Sequence, residues 1–209
     1  YPKEFEEKAR DLGVYKDSII VVYDDLGIYS SPRVWWMFKL MGFNNIAVLN
    51  GGLPEWKSKY YPIESPLKKK LLKGNFIVNY RPERIYFTKD VQLAISNKAV
   101  LIADARSNAR FFGKTPEPRK GVRSGHIPNS ISLPFGEFLE NGKMKPDLEI
   151  KQIFNKFLNH KNKLVFTCGS GITASILALA AEIIKLKNYA VYDGSWTEWG
   201  STENLPIEI

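Results

Sequence analysis

Short apolar runs rich in β-branched residues alternate along this chain with longer stretches of mixed periodicity. Residues 19–23 read Ile-Ile-Val-Val-Tyr, the length and composition of a buried strand. Residues 4–12 ahead of it read as a helix that Gly13 ends. After it, Ser31-Pro32 opens a helix to Met41, with Ser at the cap, Pro in the first turn and Gly42 as the stop. A second strand follows at 46–49, then a Gly51-Gly52 turn. Strand, helix, strand at this spacing is a βαβ unit with parallel pairing. The second half repeats the scheme. It has strands at 100–103, 164–167 and 190–192, a short strand within 127–133, and helices over 148–158 and 173–186. The pattern predicts an α/β fold of parallel sheets flanked by helices.

The two halves repeat in detail. Val21-Val22-Tyr23-Asp24 matches Val165-Phe166-Thr167-Cys168, each a strand end followed by a Gly- and Ser-bearing loop and a helix. Downstream, the run from Leu49 to Trp56 aligns with the run from Tyr192 to Trp199. Only the second copy has a cysteine; Asp24 stands in its place in the first. The expected division is 1–60 for the first copy, 61–75 for a linker and 76–209 for the second. Only Tyr1 to Tyr23 precede Asp24, whereas the second copy starts near Phe76, far ahead of Cys168. The first copy is therefore expected to be incomplete in this chain and to leave apolar surface open.

Composition narrows the function classes. A hydrophobic content of 44% over 209 residues supports packed cores. The net charge of +8 comes mostly from scattered Lys, densest at Lys68-Lys69-Lys70, which reads as a solvated linker. No zinc-finger, RNP or helix-turn-helix pattern accompanies it, so no nucleic-acid partner is expected. The diffuse positive field favours a small anionic substrate. No apolar run approaches the ~20 residues of a membrane span, so no membrane partner is expected. The one cysteine excludes an internal disulfide and points to a reducing compartment, the cytoplasm, or the mitochondrial matrix in a eukaryote. Cys168, His126 and His160 lack metal-ligand spacing, so neither metal nor cofactor is expected.

The loop Cys168-Gly169-Ser170-Gly171-Ile172-Thr173-Ala174 lies between a buried strand and a helix. Its glycines allow a tight cradle of inward N–H groups, and the helix start adds a positive dipole end. Both favour an anionic, nucleophilic sulfur at the carboxyl end of a parallel strand, where open α/β sheets place their sites. The alternative is a buried structural cysteine. A second segment, Asp104-Ala105-Arg106, leads to Arg110, Glu117 and Arg119. Arg106 is expected to pair with Asp104 and Glu117. Guanidinium groups near the sulfur are suited to clamping the carboxylate of an α-keto acid, and for Arg110 and Arg119 the alternative is a structural ion pair. His126, in Gly-His-Ile-Pro, reads as a turn entering a strand rather than a base, and His160 as solvated. Trp35, Trp36, Trp196 and Trp199 read as packing.

These stretches together resemble the tandem-domain sulfurtransferases of the rhodanese superfamily. Cys-Gly-Ser-Gly-Ile-Thr-Ala is similar to the C-G-[ST]-G-V-T-A loop of the 3-mercaptopyruvate type. Thiosulfate-using members carry basic residues directly after the cysteine, where Gly169 and Ser170 stand. The D-A-R, R-F-x-G, P-E-P-R, R-x-G-H-I-P and Y-D-G-S-W-x-E-W stretches match too, as does Tyr29-Ser30-Ser31-Pro32-Arg33-Val34-Trp35-Trp36-Met37. The resemblance covers nearly the whole chain. It implies two rhodanese-like domains, the first inactive. It also implies a Cys168 persulfide formed from 3-mercaptopyruvate with release of pyruvate, and sulfur transfer to cyanide or to a thiol such as thioredoxin. Arg110 and Arg119 become ligands of the carboxylate and keto oxygen. Ser170 assists proton movement, and the amides of Gly169, Gly171, Ile172 and Thr173 join the persulfide cradle. Family members are proposed to polarise that serine with an Asp–His pair from the inactive domain; nothing in this sequence matches the pair. Thiosulfate sulfurtransferase is the near alternative, and a non-catalytic rhodanese-like module the distant one, against which Cys168 speaks. Cysteine phosphatases of the same fold need a loop ending in Arg, which this loop lacks.

Overall fold

The computed structural model describes residues 2–64, 72–158 and 160–209; the Lys68-Lys69-Lys70 run lies outside them. The first copy contributes α1 (Pro2–Asp11), β1 (Ile20–Val22), α2 (Ser31–Leu40), β2 (Ile46–Val48) and α3 (Gly52–Ser58). β1 and β2 pair in parallel, Ile20 opposite Ile46. Gly42 ends α2 as expected: its φ is +81° and a Cβ there would sit 2.3 Å from Asn79 O. The start of α2 differs from the expectation. No serine side chain caps it. The N–H groups of Tyr29, Ser30 and Ser31 instead donate to the Asp24 carboxylate at 2.9–3.0 Å, and Ser31 Oγ donates to it at 2.8 Å. A charged acceptor reaching in from the end of β1 meets the orphan donors a cap would satisfy.

The second copy runs β3 (Ile85–Tyr86), α4 (Thr88–Ile95), β4 (Val100–Asp104), α5 (Asn108–Phe111), β5 (Ser130–Ser132), a hairpin of β6 (Leu139–Glu140) and β7 (Lys143–Met144), α6 (Asp147–Asn155), β8 (Lys163–Thr167), α7 (Ala174–Ile183), β9 (Tyr189–Tyr192) and α8 (Ser195–Ser201). Five strands form a sheet in the order β3-β9-β8-β4-β5. Every pairing in it is parallel. Alternation along the strands sorts side chains to two faces. Leu101, Ala103, Leu164 and Phe166 enter one core with Leu177 and Ala178 of α7; Ile102, Val165 and Tyr192 enter the other with Val91, Trp196 and Trp199.

The first core continues into the first copy. Ala9, Trp35, Trp36 and Phe38 belong to the same buried cluster. α7 is buried without a gap from Ala174 to Ala181 because α2 covers the side turned away from the sheet. Trp36 is 1% exposed, and truncating so large a buried side chain costs about 3–5 kcal/mol. The copies therefore share one hydrophobic interior. That interior fixes the loop between β8 and α7 against residues that come from the first copy.

Candidate active site

Strand order decides where the chemistry gathers. β8 is central, with β4 and β9 on either side, so the loops after Asp104, Thr167 and Tyr192 emerge side by side. They line a cavity of about 330 Å³ with Cys168 among its walls. Cys168 is 1% exposed. Its Sγ receives the N–H of Gly171 at 3.1 Å and that of Ser170 at 3.4 Å. Gly171 has φ +78°, the left-handed turn that brings its N–H back onto the sulfur and that a side chain adopts only with strain. Behind the loop, Cys168 N donates to Ser195 Oγ at 3.3 Å, Trp196 N to Cys168 O at 2.8 Å and Thr197 N to Gly169 O at 2.9 Å. Ser195 is buried with φ +51°.

The arginines divide as their neighbours dictate. Arg106 and Asp104 are 2% and 0% exposed. Nε and Nη2 of Arg106 bond Asp104, Nη1 bonds Glu117 Oε1 at 2.8 Å, and Nη2 also reaches Gly125 O at 2.8 Å. Its guanidinium lies 4.5 Å from the Trp196 ring centroid. So saturated a cation is structural, as its sequence neighbours predicted. Arg110 stands in α5, where Ser107 Oγ accepts its N–H at the helix start. Its Nε and Nη2 bond the two oxygens of Glu117, yet its side chain remains 27% exposed on the cavity wall. Burial opposes the Arg110 cation, but the bond to Glu117 and the negative charges around it hold its pKa above the ordinary value. Arg110 Nη2 would stand 3.0 Å from a Cβ on Gly169, so the guanidinium rests on the loop beside the sulfur. Arg119, at the exposed rim, donates to Thr197 Oγ1, which in turn donates to Gly169 O.

Cys168, Gly169, Ser170, Ile172, Thr173, Arg110 and Arg119 thus share one cavity, and Gly171 sits directly behind it. His126 is elsewhere: buried, stacked on Phe111 at 3.8 Å, with Nδ1 2.9 Å from Phe111 O. Trp196 and Trp199 are wholly buried. Sequence reasoning missed Tyr29 and Phe135, which pack edge to face at 6.0 Å on the cavity wall, and Thr197. Tyr29 comes from the first copy, and only the Tyr29–Met37 stretch hinted that this segment mattered. Among the described residues, no group of three or more His, Cys, Asp or Glu is placed to hold a metal, and no helix is long and apolar enough to cross a membrane.

A profile of the rhodanese-like domain matches residues 1–59 and 87–202. The chain belongs to the rhodanese family. Over 208 residues this chain is 36% identical to 3-mercaptopyruvate sulfurtransferase of Escherichia coli K12, covering 99% of this chain and 74% of that protein. Thiosulfate/3-mercaptopyruvate sulfurtransferase 2 of Arabidopsis thaliana is 37% identical over 94% of this chain and 64% of its own length. The crystal structure of SseA from Escherichia coli, described as a 3-mercaptopyruvate sulfotransferase of rhodanese fold, superposes with a TM-score of 0.81 at 33% identity. It covers 94% of this chain and 73% of that one. The relatives confirm a sulfurtransferase-type enzyme and an α/β rhodanese fold of parallel sheets flanked by helices.

Proposed function

We propose that this protein takes sulfur from 3-mercaptopyruvate onto Cys168, releases pyruvate and passes the sulfur to a thiol, such as that of a thioredoxin, or to cyanide. The observation that carries the proposal is the Cys168 sulfur held by two backbone N–H groups in a cavity that also carries Arg110 and Arg119. The thiolate attacks the donor's sulfur. The donor's C–S bond breaks with its electron pair going to carbon, which gives the enolate of pyruvate and a persulfide on Cys168. The proton on the donor sulfur ends on that carbon, relayed in this proposal by the hydroxyl of Ser170, a residue of the cavity wall. Arg110 and Arg119 hold the carboxylate and the keto oxygen, where enolate charge builds up. The N–H groups of Gly171 and Ser170, with those of Gly169, Ile172 and Thr173 around the turn, stabilise the outer sulfur of the persulfide. The acceptor then attacks that sulfur and restores Cys168.

The uncharged Gly169 and Ser170 favour a keto acid over thiosulfate, whose two charges call for cations nearer the sulfur. The Arabidopsis relative's name, which carries both donors, supports thiosulfate as a secondary donor. Residues 1–60 are proposed as the part of the inactive rhodanese-like domain carried by this chain and 76–209 as the catalytic one. The test compares pyruvate release from 3-mercaptopyruvate with thiocyanate formation from thiosulfate, for the wild type and Cys168→Ser. Faster turnover of mercaptopyruvate, lost in Cys168→Ser, is expected. A preference for thiosulfate overturns the donor, and activity surviving in Cys168→Ser overturns the nucleophile.

A further inference from the structure

Arg33 belongs to the copy without a cysteine, yet its guanidinium ends behind the cysteine loop of the other. Nη2 meets Asp193 Oδ1 at 2.5 Å, and Nη1 lies 3.5 Å from Gly171 O. The second distance is long for a hydrogen bond, so the closeness is better measured at Gly171 itself. A Cβ on Gly171 would stand 2.9 Å from Arg33 Nη1 and 3.1 Å from Asp193 O. The guanidinium is thus packed on the back of the residue whose N–H points at Cys168 Sγ at 3.1 Å. From below, the Trp36 ring lies 4.7 Å from the guanidinium carbon. Asp193 in turn opens the turn to Ser195, whose Oγ receives the Cys168 N–H. One side chain therefore ties together both loops that touch the nucleophile.

We propose that Arg33 is a positioning residue for Cys168, through which the copy lacking a nucleophile holds the other copy's sulfur cradle in shape. Arg33 does not line the cavity, so it acts through Gly171 and Asp193 rather than on the donor. A planar guanidinium can cover Gly171 and pair with Asp193 at once; an ammonium can only pair. The proposal rests on the reading of Cys168 as nucleophile.

The test compares wild type, Arg33→Met and Arg33→Lys. Each is read for kcat per titrated Cys168, KM for 3-mercaptopyruvate and the rate of Cys168 alkylation by iodoacetamide, with thermal unfolding alongside. Arg33→Met is expected to lower kcat and the alkylation rate together, by about tenfold, as a small displacement of a reacting group does. KM should stay unchanged, and Arg33→Lys should recover part of the loss. A folded Arg33→Met with wild-type kcat and alkylation rate, or with a change confined to KM, overturns the proposal. If Arg33→Met does not fold, Asp193→Asn, which removes the same pair from its other end, is read by the same criteria. A wild type inactive with mercaptopyruvate refutes the proposed function instead, and the alkylation rates then still decide the role of Arg33.

Discussion

Arg106 and Arg110 share one carboxylate, Glu117, and differ in what else surrounds them. Arg106 meets Asp104, Gly125 O and the Trp196 ring in full burial; Arg110 keeps part of its surface on the cavity. The first pairing was legible in sequence because Asp104 and Glu117 lie close along the chain. The Arg119–Thr197 contact was not, since 78 residues separate its partners. Thr197 links the rim cation to the Gly169 carbonyl, so Thr197→Val should free Arg119 and leave the sulfur cradle standing. We expect KM for 3-mercaptopyruvate to rise about two- to tenfold, the worth of one hydrogen bond, with kcat nearly unchanged. Steady-state kinetics on the folded variant decide it; a fall in kcat at constant KM would mean that Thr197 serves the loop rather than Arg119.

At the scale of elements, the two strand–loop–helix units solve one problem in two ways. The β8–α7 loop directs N–H groups onto a sulfur, and the β1–α2 loop directs them onto the Asp24 carboxylate. Burial pushes the Asp24 pKa up, but the N–H groups of Ser31, Tyr29 and Leu26 and the Ser31 hydroxyl outweigh it and bring it below the ordinary 3.8. A folded pKa below the unfolded one means that the ionised carboxylate stabilises the fold above the unfolded value, and this is lost as pH falls through the folded one. Asp24→Asn should therefore lower the stability at neutral pH by about 1–2 kcal/mol, on the scale of a lost helix cap, with the gap to wild type narrowing below about pH 4. Melting curves across pH test this; a gap independent of pH contradicts it. The β-branched strands and the helices α1, α2, α6 and α7 were legible within a few residues. β3, α3, α4, α5 and the β6–β7 hairpin were not, because each is too short to carry a period: β3 is two residues long and α4 buries only Val91 and Ala94. α8 starts at Ser195 in a left-handed conformation that no local signal announces.

In the whole molecule, the second copy holds the cysteine and the first supplies its surroundings: Tyr29 on the cavity wall, Arg33 behind the loop and Trp36 in the shared core. The repeat, the loop and the arginine segment were readable in sequence because each is local. The way the copies interlock was not, because it rests on contacts between residues more than a hundred positions apart. In the first copy Ile19, Val21 and Tyr23 are more than half exposed. Cys168 is proposed to carry the sulfur between donor and acceptor. The most direct test is the mass of the Cys168 peptide after the protein meets 3-mercaptopyruvate without an acceptor. A gain of one sulfur atom that a thiol acceptor then removes is expected; pyruvate release with Cys168 left at its original mass rules out the persulfide.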